Sequence, residues 1–164
     1  MPSWSDIALT TSSKVKLLHA WWIAARGARK LPDRADLDPA DIKSLMPNLL
    51  ISEAERDPFR IRYRLVGTRV VGLTGFDFTG RYLDELGPPE TTQHWLDCYL
   101  AVYQSGTPIY GSVTEPTLSG DTFTYEFGIF PLTRGGQTVE QFVSVEDYFG
   151  FQLTSAQLLP WSTS

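Results

Sequence analysis

"FRIRYRLVGTRVVGLTGFDFTGRYLDEL", residues 59–86, is the stretch on which the fold turns. It opens with strict alternation. Phe59, Ile61, Tyr63 and Leu65 fall on one side of an extended chain, and Arg60, Arg62 and Arg64 on the other. Successive side chains of a strand point to opposite faces, so a period of two with one wet face marks a strand of an antiparallel sheet. The glycines that follow bring a second motif to mind. "GTRVVGLT", Gly67 to Thr74, approaches the phosphate-binding pattern G-x-x-x-x-G-K-[ST]. Leu73, however, stands where the lysine belongs, and Gly75 and Gly80 break the long helix that the motif requires. These glycines read instead as turn residues between short helical turns.

Upstream, "NLLISE" (48–53) is a second short strand, joined to the first through "ERDP" (55–58). Downstream, Trp95, Tyr99, Val102 and Tyr103 recur at three and four within 90–106. This predicts a helix that Gly106 and Pro108 terminate. Strand signals follow at 108–115, 122–132 and 137–149, with "LSGD" and "TRGGQ" as hairpin turns. Toward the N-terminus, Val15, Leu18, Trp22 and Ala25 predict a helix over 13–29, capped by Ser12 or Ser13 and ended by Gly27. "DPADIKSLMP" predicts another, with Asp38 as cap, Pro39 in the first turn and Pro47 as the stop. Residues 1–12 are expected to be a flexible N-terminus, 13–47 a helical segment, 48–149 the domain proper and 150–164 a tail without clear period. Strands in runs, interrupted by helices, imply an α+β domain on an antiparallel sheet.

With 164 residues the chain is long enough for one well-buried core. Its 14 Lys and Arg against 19 Asp and Glu give a net charge of −5, which disfavours nucleic acid as a partner. The longest strictly apolar run, Ala20–Ala25, is too short for membrane insertion. The first residues lack the basic and apolar regions of a secretory leader, and the single cysteine, Cys98, forbids an intrachain disulfide. A cytoplasmic protein is the expectation.

Few residues suggest chemistry. His94 and Cys98 lie one turn apart on the predicted helix and form a conceivable metal or haem-binding pair, but His19 is the only other histidine. A small buried cysteine beside an amphipathic histidine explains the same spacing. Glu146 and Asp147 are adjacent, so in a strand they face opposite ways, and such pairs are expected at the solvated surface. The Arg60, Arg62 and Arg64 stripe reads as a sheet face paired with carboxylates of a neighbouring strand, with Glu126, Glu140 or Glu146 as candidates. Trp21 and Trp22 point about 100° apart on their helix. One can anchor a partner chain while the other packs on the sheet, which makes both interface candidates.

The element order and the stretches 25–55, 59–86 and 130–145 resemble the PAS superfamily. The closer resemblance is to a bacterial family of short stand-alone PAS-like proteins formerly classed as a domain of unknown function. Arg64-x-Val66-Gly67-Thr68 with Leu65 between, Thr79-Gly80-Arg81 and Asp84-Glu85-Leu86 carry it. The resemblance implies a five-stranded antiparallel sheet, at 48–54, 59–66, 108–115, 122–132 and 137–148, with helices on one face and an extra N-terminal helix. The helix at 91–105 would close a pocket over the sheet.

It further implies a non-enzymatic module of bacterial signalling that senses a ligand or engages another protein. Strand alternation makes Tyr63, Trp95, Tyr99, Tyr110 and Tyr125 the candidate pocket wall for a small, partly apolar ligand. No cofactor is required. Flavin-photoactive relatives carry a Gly-Arg-Asn-Cys-Arg motif, and Gly80-Arg81-Tyr82-Leu83 holds no cysteine there, so flavin photochemistry is not expected. A signalling protein or a second copy of the chain is the expected partner. The alternative is a homodimerising scaffold without ligand.

Overall fold

The computed structural model describes residues 1–150. The predicted tail lies, from residue 151 on, outside the described residues. One antiparallel sheet organises the molecule. Its strands are β1 (Ser3–Trp4), β2 (Leu49–Glu55), β3 (Arg60–Val66), β4 (Ile109–Pro116), β5 (Thr122–Leu132) and β6 (Gln141–Asp147), in the spatial order β1-β4-β5-β6-β2-β3. Helix α1 spans Ser13–Arg26, α2 Thr68–Thr74 and α3 Pro89–Ser105. This is the α+β architecture expected, with one short edge strand added.

The opening stretch behaves as its alternation predicts. Ile61 and Tyr63 are buried, while Arg64 on the opposite face is exposed. Gly67 allows the chain to pass under residues 46–47. A Cβ there would stand 2.4 Å from the Pro47 carbonyl oxygen, so close backbone approach is what excludes a side chain. The chain then winds into α2, which Gly75 ends at φ +88. Residues 78–82 turn back along the free side of β3. Tyr63 donates its N–H to the Arg81 carbonyl and Gly80 donates to the Tyr63 carbonyl, so the exposed edge is covered.

That crossing also corrects the partners of the arginine stripe. Arg60 grips Asp84 through two nitrogens at 2.8 and 2.7 Å. Arg64 meets Glu53 at 3.0 Å, and Arg62 donates to the Gly80 carbonyl. Glu126, Glu140 and Glu146 take no part. β3 is next to β2, which supplies Glu53, and is followed along its free side by the 78–82 strap, whose continuation, the 3-10 turn Leu83–Glu85, supplies Asp84.

The two faces of the sheet carry different layers. α3 and α2 cover one. α1 covers the other, burying Val15, Leu18 and Trp22 against β5 and β6. The indole N–H of Trp22 donates to the Pro131 carbonyl at 2.8 Å. Ser12 caps α1 by accepting from the Val15 N–H, and Gly27 ends it.

Two expectations fail. The helix predicted over 38–47 is a series of turns followed by a 3-10 turn at Met46–Asn48. So short a segment between prolines barely repays helix nucleation, and the Asp38 carboxylate instead closes a local turn on the Ala40 N–H. Residues 1–12, expected to be loose, are tied down. Ser3 and Trp4 pair with Gly111 and Tyr110, and the Trp4 indole donates to Thr10 Oγ1.

Candidate functional site

A chamber lies between the sheet and the α2–α3 layer. Its walls follow from strand parity. In β5, Tyr125, Phe127 and Ile129 face it; in β6, Ser144 and Glu146; in β3, Tyr63; in β4, Glu115. α3 contributes Trp95 and Tyr99, one turn apart, and α2 with the strap contributes Val70, Leu73 and Phe78. The rings lock one another. Tyr63 meets Phe78 edge-on at 4.8 Å, Trp95 tilts on Phe127 at 4.7 Å, and Tyr99 stands edge-on to Phe142 at 5.1 Å. The free space left is about 40 Å³. That is room for a few waters; small-molecule sites run to several hundred Å³.

Four of the five proposed wall residues, Tyr63, Trp95, Tyr99 and Tyr125, therefore line one chamber. Tyr110 does not. Its register opposite Gly128 turns it to the α1 face, where its hydroxyl meets His19 Nδ1 at 2.7 Å and its ring packs on Phe130. Gly111 takes the chamber side of β4, against the Phe127 ring.

Of the other candidates, Trp22 is committed to its own sheet and Trp21 is half-buried beside it. His94 is exposed, whereas Cys98 is buried. Burial, with Asp97 adding repulsion, pushes the Cys98 thiol up to about 11, so it is not a thiolate at neutral pH. Among the described residues no three His, Cys, Asp or Glu side chains gather as a metal site.

Glu115 and Tyr148 were not anticipated, and Glu146 and Asp147, expected at the solvated surface, are instead on the chamber wall and buried at the start of α1 respectively. Burial pushes the Glu146 carboxyl up to about 7, and the Glu115 charge adds to it, while the hydroxyl of Tyr148 donates to Oε2 and opposes the rise. Burial likewise raises Glu115. Tyr63, Tyr125 and Tyr148 lie well above ordinary tyrosines, chiefly through burial. No Lys or Arg forms an ion pair with either carboxylate among the described residues. The signal in the sequence was "FVSVEDYF": a strand apolar on both faces turns Glu146, half-buried, to the chamber and buries Asp147 on the other side.

Asp147 points the opposite way from Glu146 and is buried at the start of α1. It accepts from the Ser12 hydroxyl at 2.6 Å. Its cross-strand partner Glu126 accepts from the Ser12 N–H, the Thr11 N–H and the Thr11 hydroxyl. Two carboxylates thus hold the N-terminus of α1, where the helix dipole favours negative charge.

A flavin or haem does not fit. The chamber's free volume is an order of magnitude too small, and neither His94, the haem-ligand candidate, nor Cys98 is among its lining residues; His19 lies on the other face of the sheet. Nor is any helix of the described residues long and apolar enough to cross a membrane.

A family model described as a PAS domain matches residues 10–145. No curated protein matches the chain. Among solved structures, it is similar to a light-oxygen-voltage domain studied with a flavin analogue, at 22% identity and a TM-score of 0.48, covering 66% of this chain and 84% of that one. The dark structure of the blue-light photoreceptor Aureochrome1 LOV gives 19% and 0.48, covering 66% and 80%. A PAS domain from Colwellia psychrerythraea gives 11% and 0.45, covering 68% and 98%.

Proposed function

Since the chain belongs to the PAS domain family, we propose that it is a non-catalytic signalling module in which the state of the Glu146 chamber is reported to helix α1. The observation that carries this reading is the parity of β6. Glu146 stands in the chamber and the next residue, Asp147, holds Ser12 at the cap of α1. A change that shifts β6 on one face is felt one residue away on the other. The chamber's small volume favours a minimal input, such as a water-sized ligand or a proton, over a stored cofactor. The absence of room for a substrate beside Glu146 speaks for sensing rather than catalysis.

α1 also supplies a surface through which the report can leave. Leu17, Ala20, Ile23 and Ala24 recur at three and four on its outward side and are exposed. This favours a partner protein or a second copy of the chain docking there. Amide hydrogen exchange at about pH 8 tests the relay, because Glu146 is then mostly charged. Glu146→Gln relieves the buried charge and is expected to slow exchange in the first turns of α1 several-fold relative to the 133–137 loop. Unchanged α1 exchange, with altered exchange in α3, would sink the proposal.

A further inference from the structure

A second hollow lies far from the chamber, between the connector after α1 and the turn joining β5 to β6. Arg29, Lys30, Leu31 and Asp33 form one side; Thr133, Gly135, Gly136 and Gln137 form the other. Its volume is about 470 Å³, which is the size of a small-metabolite site.

The rims are fixed by main-chain bonds. Thr133 donates its N–H to the Pro32 carbonyl at 2.9 Å, and Arg34 donates to the Thr133 carbonyl at 2.8 Å. Asp33 accepts from the Ala35 and Gly135 N–H groups, one through each oxygen, and these bonds hold its carboxyl below the usual carboxylate range. Its charge is thereby spent on the loop. Arg29 is aimed by Asp36 at 2.7 Å and by the Ala25 carbonyl at 2.6 Å. Lys30 is exposed and has no carboxylate partner among the described residues.

Two observations point to a ligand. The hydroxyl of Thr133 is buried and has no hydrogen-bond partner, a state that folded proteins rarely leave unmet. Residues 26–36 also concentrate Arg26, Arg29, Lys30 and Arg34 against Asp33 and Asp36, in a chain of net charge −5. A positive region on an acidic protein draws small anions.

We propose that this cleft binds a small organic anion, with its phosphate or carboxylate on Arg29 and Lys30 and its hydrogen-bonding end toward Thr133 and Gln137. The assignment stands independently of the chamber reading, since among the described residues none is shared.

The test is an NMR titration of the ¹⁵N-labelled full chain with inorganic phosphate, citrate and ribose 5-phosphate, with ribose as the neutral control. Saturable shifts at 29–33 and 133–137 are expected with at least one anion at a Kd below about 1 mM, and none with ribose. Amides of Tyr99 and Ser144 should stay still. Lys30→Glu, at an exposed position without a partner, should weaken binding at least about tenfold, equal to about 1.4 kcal/mol. Thr133→Val should weaken ribose 5-phosphate more than phosphate. Failure of all three anions to saturate, equal shifts with ribose, or affinity unchanged in Lys30→Glu would overturn the proposal.

Discussion

The chamber beneath α3 leaves about 40 Å³ free, while the cleft at residues 29–33 and 133–137 leaves about 470 Å³. The chamber is walled by interlocked rings and holds two carboxylates that, among the described residues, form no ion pair with Lys or Arg. The cleft is walled by loop main chain and carries two cations, Arg29 held by Asp36 and Lys30 with no carboxylate partner among the described residues. The two regions keep their free energy in different places. In the chamber it lies in packing and in a buried charge, so any perturbation there is transmitted to the fold. In the cleft it lies in one unmet hydroxyl, Thr133, and in Lys30, so occupancy changes little but the ligand.

Truncation of a chamber ring has the largest expected effect. Phe127→Ala, in the chamber wall, is expected to lower unfolding free energy by about 3–5 kcal/mol in urea denaturation. A loss under about 1 kcal/mol would mean that the chamber is not tightly packed.

Next in size is the charge. Glu146 binds its proton more tightly folded, at about 7, than unfolded, at about 4.5. Its contribution is fully present below pH 4.5 and is lost as pH rises through about 7. Glu115 from β4, Tyr63 from β3, Tyr99 from α3, Tyr125 from β5 and Tyr148 after β6 surround it, with Arg69 of α2 acting on Tyr148. The tyrosines stay neutral through this range. Stability of the native protein relative to Glu146→Gln should therefore fall by about 1–3 kcal/mol between pH 5 and 8. A flat difference would remove the buried charge from the account.

Ser12→Ala removes both the α1 cap and the hydroxyl that Asp147 accepts from. It is expected to cost about 1–2 kcal/mol and to speed exchange in the first turn of α1 before other helices respond. The smallest effect belongs to the cleft. Lys30→Ala should shift stability by no more than about 0.5 kcal/mol. A large loss there would show that the cleft supports the fold and is not merely attached to it.

Most of the scaffold was legible because its signals are local. Alternation in 59–66 and the three-and-four spacing in 90–106 each decide an element without help from distant residues. The 38–47 segment misled because its proline and aspartate signals fit a helix start and a tight turn alike. The hold on residues 1–12 was invisible because Glu126 and Asp147 stand more than 110 residues away. Within the chamber, Tyr110 was misplaced because its face depends on cross-strand register, which one strand's sequence does not fix. Glu146 was read as surface because alternation loses its meaning in a strand buried on both sides. The cleft was invisible because its two walls, 29–33 and 133–137, stand about 100 residues apart, and the basic run at 26–34 by itself names no cavity.

A pH titration of the backbone amides reads directly whether the chamber's state reaches α1. From pH 5 to 8, the Ser12 and Val15 amides should follow a transition with its midpoint near 7, as Glu146 does, and lose that transition in Glu146→Gln. His19, whose pKa burial lowers below 6.5, remains in the variant and separates its own lower transition from this one. If chamber amides titrate near 7 while Ser12 and Val15 do not, the relay through β6 does not exist.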